Sequence, residues 1–279
     1  MILDGSKTAA VMRKKIAEEV NRINEPITLA IVQIGDDQSS MMYLRSKEKA
    51  CSEVGIHVDT HIFANNVTQK EIIKTINTLN DNDNINAIMV QMPLPAHIDS
   101  EEVLNTINPL KDVDGLSVLN QGKLFKGLPA VCPATAQAVI TLLKNNNVDI
   151  YQKNVVIIGR SIVVGKPLAI LFLNENATVT VAHSHTANLK EVTKKADILV
   201  SAVGKPSLVT VDMVKKEAVV VDVGINRVQG KTVGDVDFKN VEPIASFISP
   251  VPNGVGPVTN AVVLQNILNC YKKQKGIQI

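Results

Sequence analysis

From end to end this chain alternates apolar runs of strand length with stretches of helical period, and that alternation admits few folds. In "TAAVMRKKIAEEVNRI", residues 8–23, Val11, Ile16, Val20 and Ile23 fall near one face of a helix, and "ITLAIVQIG", 27–35, reads as a buried strand. The pattern then repeats. "SSMMYLRSKEKACSEVG" is helical up to Gly55, "HVDTHIFA" alternates as a strand, "TQKEIIKTINTLN" is helical, and "INAIMVQMP", 85–93, is a strand stopped by proline. Beyond an irregular stretch from Pro93 to Pro133, a helix over "TAQAVITLLKNNN" leads into further strands at "VVII", "ATVTVAHSHT", "ADILVSAV" and "AVVVDVGI". Sequential β and α units of this kind bury their apolar faces as parallel sheets covered by helices. At 279 residues the chain has the length of two ordinary domains. The expectation is an α/β protein of two lobes with a cleft between them, the proline-bearing stretch with its "KDVDG" turn forming a substrate-binding edge.

The most informative connection is "VVIIGRSIVVGKPLAI", 155–170, a glycine-bearing loop between a strand and a helix. It matches neither common phosphate-binding pattern. The Rossmann fingerprint asks for G-x-G-x-x-G and the Walker loop for G-x-x-x-x-G-K-[ST]. Here five residues separate Gly159 from Gly165, and Lys166 is followed by Pro167, which has no hydroxyl for magnesium. Triphosphate chemistry is thereby disfavoured. With Pro167 at the first helical position, the helix N-terminus faces the loop and attracts anions; an ordinary strand-to-helix connection would look the same. The next strand discriminates further. A carboxylate about 20 residues past such a loop would bind the adenine ribose of NAD. No Asp or Glu lies between Glu175 and Glu191, and the strand ends in His183 and Ser184. Arg160 offers a planar fork of donors to a 2′-phosphate and Ser184 a hydroxyl, which favours NADP. His183 and His185 lack a third or fourth ligand nearby, so no metal is expected.

Composition removes several classes. The net charge of +2 shows no long run of one sign, and only 3% of residues are aromatic, so neither the electrostatic nor the stacking footprint of a nucleic-acid binder is present. Cys51, Cys132 and Cys270 are odd in number and widely spaced, as free thiols in a reducing compartment would be. "MILDGSKTAAVMRKK" has no long apolar core after a basic start, and no window approaches 18 uninterrupted apolar residues. A cytoplasmic protein without membrane or nucleic-acid partners is expected.

Four places carry groups suited to chemistry. Tyr43 and Lys47 are four apart on a helix and share a face; a lysine in a partly apolar cleft has a depressed pKa and serves as acid or base, although a tyrosine packed on a lysine stem is the commoner outcome. Gln91 follows the strand "AIMV", where parallel sheets open onto ligand crevices. Asp112 and Asp114 alternate around Val113, pointing the same way if extended; a simple turn explains them equally. "SPVPNGVGPVTNAVV", 249–263, joins prolines and glycines to a helix start, so its backbone amides are available to a ligand.

As a set, these motifs resemble the methylenetetrahydrofolate dehydrogenase/methenyltetrahydrofolate cyclohydrolase family of one-carbon metabolism. The resemblance runs over essentially the whole chain, through "ILDG", "YLRSKEKACSEVGI", "VQMPLPAHI", "NPLKDVDGLSVLNQGKL", "GRSIVVGKP", "ATVTVAHSHT", "DVGINR" and "SPVPNGVGPVT". It implies a folate-binding catalytic domain over 1–134, joined by a returning C-terminal helix over 257–279, and a Rossmann-like NADP-binding domain over 135–256. Tyr43, Lys47, Gln91 and Asp114 are then the active-site group, with Gln91 the partner of Lys47 and Asp114 the anchor of the pterin ring. Val90, Met92 and the loop Pro252, Asn253, Gly254, Val255 and Gly256 border the folate. Gly159, Arg160, Ser161, Gly165, Ser184 and Ile225 contact NADP. The resemblance also implies a homodimer through the cofactor domain.

The chain departs from the family pattern at several points: Gln38, Ser39 and Ser40 stand where relatives have Pro-Ala-Ser, Leu116 and Ser117 where Phe-His is usual, Ala136 and Ala138 for a proline and a glycine, and Asn253 for a glycine. None removes a catalytic functional group. The implied reactions are NADP-dependent oxidation of 5,10-methylenetetrahydrofolate and hydrolysis of the methenyl product to 10-formyltetrahydrofolate. The residues alone leave open a dehydrogenase without the hydrolytic step, one preferring NAD, and a catalytically silent nucleotide-binding protein; the spaced set Tyr43, Lys47, Gln91 and Asp114 argues against the last.

Overall fold

The apolar runs become two parallel sheets. A computed structural model describes residues 1–35 and 38–277; the side chains of residues 38–40 and of Tyr43 also lie outside the description. Among the described residues the chain divides into two compact units, one of Val11–Cys132 with Val263–Ile279 and the other of Met1–Ala10 with Pro133–Val262.

The first of these contains most of helix α1 (Gly5–Ile23), then β1 (Thr28–Ile34), α2 (Gln38–Ser52), β2 (His57–Phe63), α3 (Gln69–Asp81) and β3 (Ala87–Val90). The strands form a parallel sheet of order β2-β1-β3, with Ala30 of β1 paired to Asp59 and to Ile88. Every residue of β3 is buried, as a strand covered on both faces requires. Local sequence sets the helix ends. Thr68 and Glu71 form a reciprocal capping box at the start of α3, and Ile72, Ile76 and Leu79, at helical spacing, pack with Val32, Ile88 and Val90 in one core. Val11 does not join Ile16 and Val20 inside; it is exposed, because five positions along a helix is about 140° around the axis.

The stretch 93–133, expected to be irregular, contains two short helices, α4 (Ser100–Thr106) and α5 (Val118–Phe125). Each has a side-chain cap: Asp99 accepts from the amides of Glu101 and Glu102, and Ser117 caps α5. Two turns of helix are too short to show a period, so only the caps mark them. Lys111 is buried nearby, and its ammonium donates to the carbonyls of Leu79, Asn80 and Asn82 at 3.1, 2.7 and 2.9 Å, satisfying the carboxyl end of α3.

The second unit continues with α6 (Ala134–Asn145), β4 (Asn154–Ile158), α7 (Gly165–Asn174), β5 (Thr178–Ala182), α8 (Leu189–Thr193), β6 (Ile198–Ser201), β7 (Val219–Asp222), the hairpin β8 (Asn226–Val228) and β9 (Lys231–Val233), α9 (Phe238–Val241), β10 (Phe247–Ile248) and α10 (Val255–Gln274). Its parallel sheet has the order β10-β7-β6-β4-β5. The chain runs from β4 outward to β5 and then returns to the other side of β4, so the order reverses beside β4.

Three sequence expectations need correction here. Pro167 is the third residue of α7, not the first; it still lies in the first turn, where its missing N–H has no intrahelical partner. The last helix begins at Val255, two residues before Pro257, so Val255 and Gly256 belong to its first turn. The first ten residues group with the second unit, whereas the family resemblance implies a single domain over 1–134: Leu3 N–H donates to Ile248 O and Gly5 N–H to Asn253 O, both at 2.9 Å, pinning the N-terminal segment to β10 and the loop after it. The end of α10 belongs to the first unit, held by Tyr271 Oη on Glu25 at 2.8 Å and by Gln274 on Asn86 O at 2.6 Å.

Candidate active site

At the carboxyl end of the first sheet, α2 carries Tyr43 and, one turn later, Lys47. The Lys47 ammonium donates to Gln91 Oε1 at 2.7 Å. Gln91 is itself fixed: its backbone N–H extends the β3 ladder onto Val32 O at 2.9 Å, and its side-chain amide donates to Met92 O at 3.2 Å, which orients Oε1 toward the lysine. Burial depresses the Lys47 pKa, opposed chiefly by the Asp114 carboxylate. Asp114 shows the converse. Burial first, and then the neighbouring Asp112 charge, push its carboxyl up to about 7, while Lys47 pulls the other way.

Asp112 and Asp114 differ in what holds them. Asp112 is buried and satisfied, accepting from the amides of Leu116 and Ser117 at 3.3 and 2.9 Å and from Asn120 Nδ2 at 2.9 Å. Gly115 between these groups has φ +64° and stands where a Cβ would strike Val131 O. The "DVDG" segment is therefore a turn built on Asp112 that leaves Asp114 half-buried beside Lys47. The Cys51 thiol, one turn beyond Lys47, is pushed up to about 12 by burial and is unreactive. Val90 is buried in the core, away from any ligand, whereas Met92 is exposed. Tyr43 is placed on α2 by its backbone; its side chain lies outside the described residues. The same holds for Gln38, Ser39 and Ser40.

In the second unit the glycine loop closes on itself. Gly159 has φ +122° and continues the ladder by donating to Ala182 O at 2.9 Å. A Cβ on Gly165 would strike Gly159 O, so the two glycines let the strand end and helix start touch. Ser161 shapes the turn, its Oγ accepting from Val164 N–H at 3.1 Å and its carbonyl from Lys166 N–H at 3.0 Å. No side chain caps α7; in its first turn Lys166 N–H and Leu168 N–H are paired with Ser161 O and Val164 O and Pro167 has none, so among the described contacts only the Gly165 N–H is left facing the loop. Arg160 and Ser184 are both exposed, each two residues past the paired Ile158 and Ala182. They end adjacent strands. Ile225, also exposed, follows β7, two strands to the other side of β4. His183 and His185 sit edge to face with ring centroids 6.0 Å apart, and the described residues hold no cluster of three metal-ligating side chains.

The loop before α10 explains one departure. Asn253 has φ +79°, a left-handed conformation that asparagine tolerates better than most non-glycine residues. Its carbonyl accepts from Gly5, and a Cβ on Gly5 would strike Gly254 O, so the "LDG" segment and this loop require each other. Ala136 and Ala138 are buried in α6, Leu116 packs in the first core, and Ser117 caps α5. Pro252 is exposed and Gly254 buried. Two further carboxylates escaped the sequence reading. Asp222 and Asp235 are buried at the carboxyl ends of β7 and of the hairpin. The only sequence signal is a nearby glycine for each, Gly224 and Gly234.

A doubly wound parallel sheet whose order reverses beside a glycine loop defines the dinucleotide-binding class of α/β proteins, and the Lys47–Gln91 pair at the end of a second parallel sheet gives it a candidate catalytic group. The chain belongs to the tetrahydrofolate dehydrogenase/cyclohydrolase family, whose catalytic-domain model matches residues 3–114 and whose NAD(P)-binding-domain model matches residues 133–275. The bifunctional protein FolD of Campylobacter concisus is 49% identical over 271 residues, 96% of each chain. The crystal structure of the bifunctional FolD dehydrogenase/cyclohydrolase of Campylobacter jejuni superimposes with a TM-score of 0.96 at 42% identity, covering 98% of this chain and 99% of that one. The Trypanosoma brucei N5,N10-methylenetetrahydrofolate dehydrogenase-cyclohydrolase, solved with NADP and an inhibitor, gives 0.94 at 36% identity, covering 99% and 98%.

Proposed function

We propose that this chain oxidises 5,10-methylenetetrahydrofolate with NADP and hydrolyses the resulting methenyl compound to 10-formyltetrahydrofolate. The observation that carries the reading is the Lys47–Gln91 hydrogen bond at 2.7 Å, which presents an amine of lowered pKa beside a carboxylate of raised pKa. In the first step a hydride leaves the methylene carbon between two folate nitrogens, whose lone pairs stabilise the amidinium-like cation left behind. That step asks for positioning more than for a base. In the second, water attacks the bridging carbon, and one of its protons goes to the nitrogen that departs as the C–N bond breaks. The other is released as the formyl carbonyl forms. Lys47 is the proton carrier: burial increases its free-amine fraction, and Gln91 restrains the direction of Nζ. Asp114 accepts the paired N–H donors of the pterin, and Tyr43 packs on the substrate ring. Pro252 to Gly256 and Met92 supply further folate contacts.

NADP, when bound, supplies the hydride acceptor. The residues present fit it. Gly159 and Gly165 form a cradle that a Cβ would fill, the Gly165 N–H at the start of α7 suits the pyrophosphate, and Arg160 with Ser184 stands where an acid would select NAD. Ser161 and Ile225 complete the contacts. A cytoplasmic location fits the free thiols of Cys51, Cys132 and Cys270. Assembly as a homodimer through the cofactor unit fits β5, an edge strand of sequence Thr-Val-Thr-Val-Ala with no charge or proline to blunt it.

The test is optical. Purified protein supplied with methylenetetrahydrofolate and NADP should generate reduced nicotinamide, and supplied methenyltetrahydrofolate should lose its absorbance faster than in buffer. Absence of reduced nicotinamide, or a faster reaction with NAD, would overturn the corresponding part of the reading.

A further inference from the structure

Asp235 lies outside every site residue named above, yet it gathers more donors than any other described carboxylate. Its Oδ2 accepts from Ser201 Oγ at 3.0 Å, Val203 N–H at 2.9 Å and Gly204 N–H at 3.3 Å, and its Oδ1 from Lys205 N–H at 2.8 Å and Asn226 Nδ2 at 3.2 Å. Three successive amides, 203 to 205, thus wrap one buried carboxylate, the concavity that elsewhere binds a free anion. With that concavity filled from within, the loop after β6 cannot hold a cofactor phosphate. What it offers outward is Val203, which like Ile225 is exposed.

Asp222 locks the arrangement from the other side. Its Oδ1 accepts from Asp235 N–H at 2.9 Å and Gly224 N–H at 3.1 Å, and its Oδ2 from Val236 N–H at 2.9 Å. A Cβ on Gly224 would run into the Asp235 carboxylate and one on Gly234 into that of Asp222, so both glycines are places where the backbone must come close. The two carboxylates therefore fix the loop after β6 and the segment after β7 against each other.

The sheet order says what such a fixed surface faces. A dinucleotide lies across the carboxyl ends where the strand order reverses, here beside β4. If Arg160 and Ser184 hold the phosphorylated adenine ribose beyond β4 and β5, the nicotinamide end extends over β6 and β7. We propose that Asp235 is a positioning residue for the nicotinamide half of the cofactor, acting through the Val203–Lys205 and Ile225–Asn226 backbone; this rests on the NADP reading above.

The enzyme supplies its own control, because hydrolysis of supplied methenyltetrahydrofolate consumes no cofactor. Asp235→Asn puts an amide N–H₂ among converging donors, so the loops shift; a misplacement of about 1 Å lowers hydride transfer on the order of 100-fold. The dehydrogenase kcat should fall on that scale, while cofactor-free cyclohydrolase stays within about twofold of the parent. The NADP dissociation constant should change far less than kcat, since the adenine half is untouched. Asn226→Ala, which removes one arm and keeps the carboxylate, should give the same split in smaller measure and decides the matter if Asp235→Asn does not fold. Parallel loss of both activities in either folded variant would mean general loosening and overturn the proposal, as would an unchanged dehydrogenase. A parent without NADP-dependent oxidation would instead overturn the cofactor reading.

Discussion

The ammonium of Lys47 and the amide oxygen of Gln91, 44 residues apart in sequence, meet at 2.7 Å. The contact joins α2 to the end of β3. Replacing Lys47 by Met keeps length and removes the titratable amine. Cyclohydrolase activity should drop by roughly 10²–10⁴-fold, the usual worth of a positioned proton carrier, and dehydrogenase activity considerably less. Parental rates of methenyltetrahydrofolate hydrolysis in the variant would remove Lys47 from the mechanism.

Gln91→Glu changes the same contact without shortening it. A carboxylate against Nζ favours the ammonium form and raises the lysine pKa by about 1–3, so fewer molecules hold a free amine at neutral pH. The pH–rate profile of hydrolysis should move to higher pH, and the rate at neutral pH should fall roughly tenfold each time the lysine pKa rises by about 1. An unmoved profile would mean that the Lys47 protonation state does not limit the reaction.

Asp114 predicts a pH effect on binding. Its carboxyl is raised to about 7 by burial and by Asp112, so it takes up a proton as pH falls through that value and loses the charge with which it would accept the pterin N–H groups. The KM for folate should rise below pH 7 and level off above it. The same raised value makes ionisation of Asp114 unfavourable to the fold, a cost that grows between its unfolded pKa near 4 and about 7. Asp114→Asn should flatten the pH dependence of KM while weakening folate use throughout; a variant that keeps the parental profile would show that another group titrates.

Sequence and structure agree where a single side chain or a long period decides. The buried strands "AIMV" and "VVII", the helix over "TQKEIIKTINTLN" and the glycine loop can all be read directly, because apolar periodicity and turn chemistry are local. Residues 93–133 could not be. Helices α4 and α5 make two turns each, and the turn at Asp112 depends on amides that reach it only after the chain has folded back. Lys47 and Gln91 could each be nominated from its own element, but their bond is a property of the sheet. Asp222 and Asp235 were invisible for the same reason: their eight hydrogen bonds to this network come from three separate segments, 201–205, 224–226 and 235–236.

Lys111 offers a contrast to Lys47, since its ammonium is spent entirely on three carbonyls at the end of α3. Lys111→Met should therefore destabilise without altering chemistry. Leaving buried carbonyls unpaired costs about 1–3 kcal/mol, which a change in urea midpoint at unchanged slope would report. Kinetic constants measured well below the unfolding transition should match the parent. A large change in kcat would show that Lys111 reaches beyond the helix it caps.

Arg160 follows Gly159 at the end of β4, as Ser184 follows His183 beyond β5, and the exposed guanidinium is the cation closest in register to the expected adenine ribose. Arg160→Ala should weaken NADP more than NAD. A hydrogen bond to a charged group contributes about 1.5–3 kcal/mol, roughly a 10- to 150-fold change in affinity, and NAD has no 2′-phosphate to lose it. The measurement is a pair of dissociation constants for each protein at one ionic strength, because an exposed charge contact is screened by salt. Raising the salt should narrow the parent's preference for NADP and leave that of the variant nearly unchanged. Equal losses for the two cofactors would mean that Arg160 acts on the shared pyrophosphate or on the loop itself, and discrimination between NADP and NAD would then have to come from Ser184.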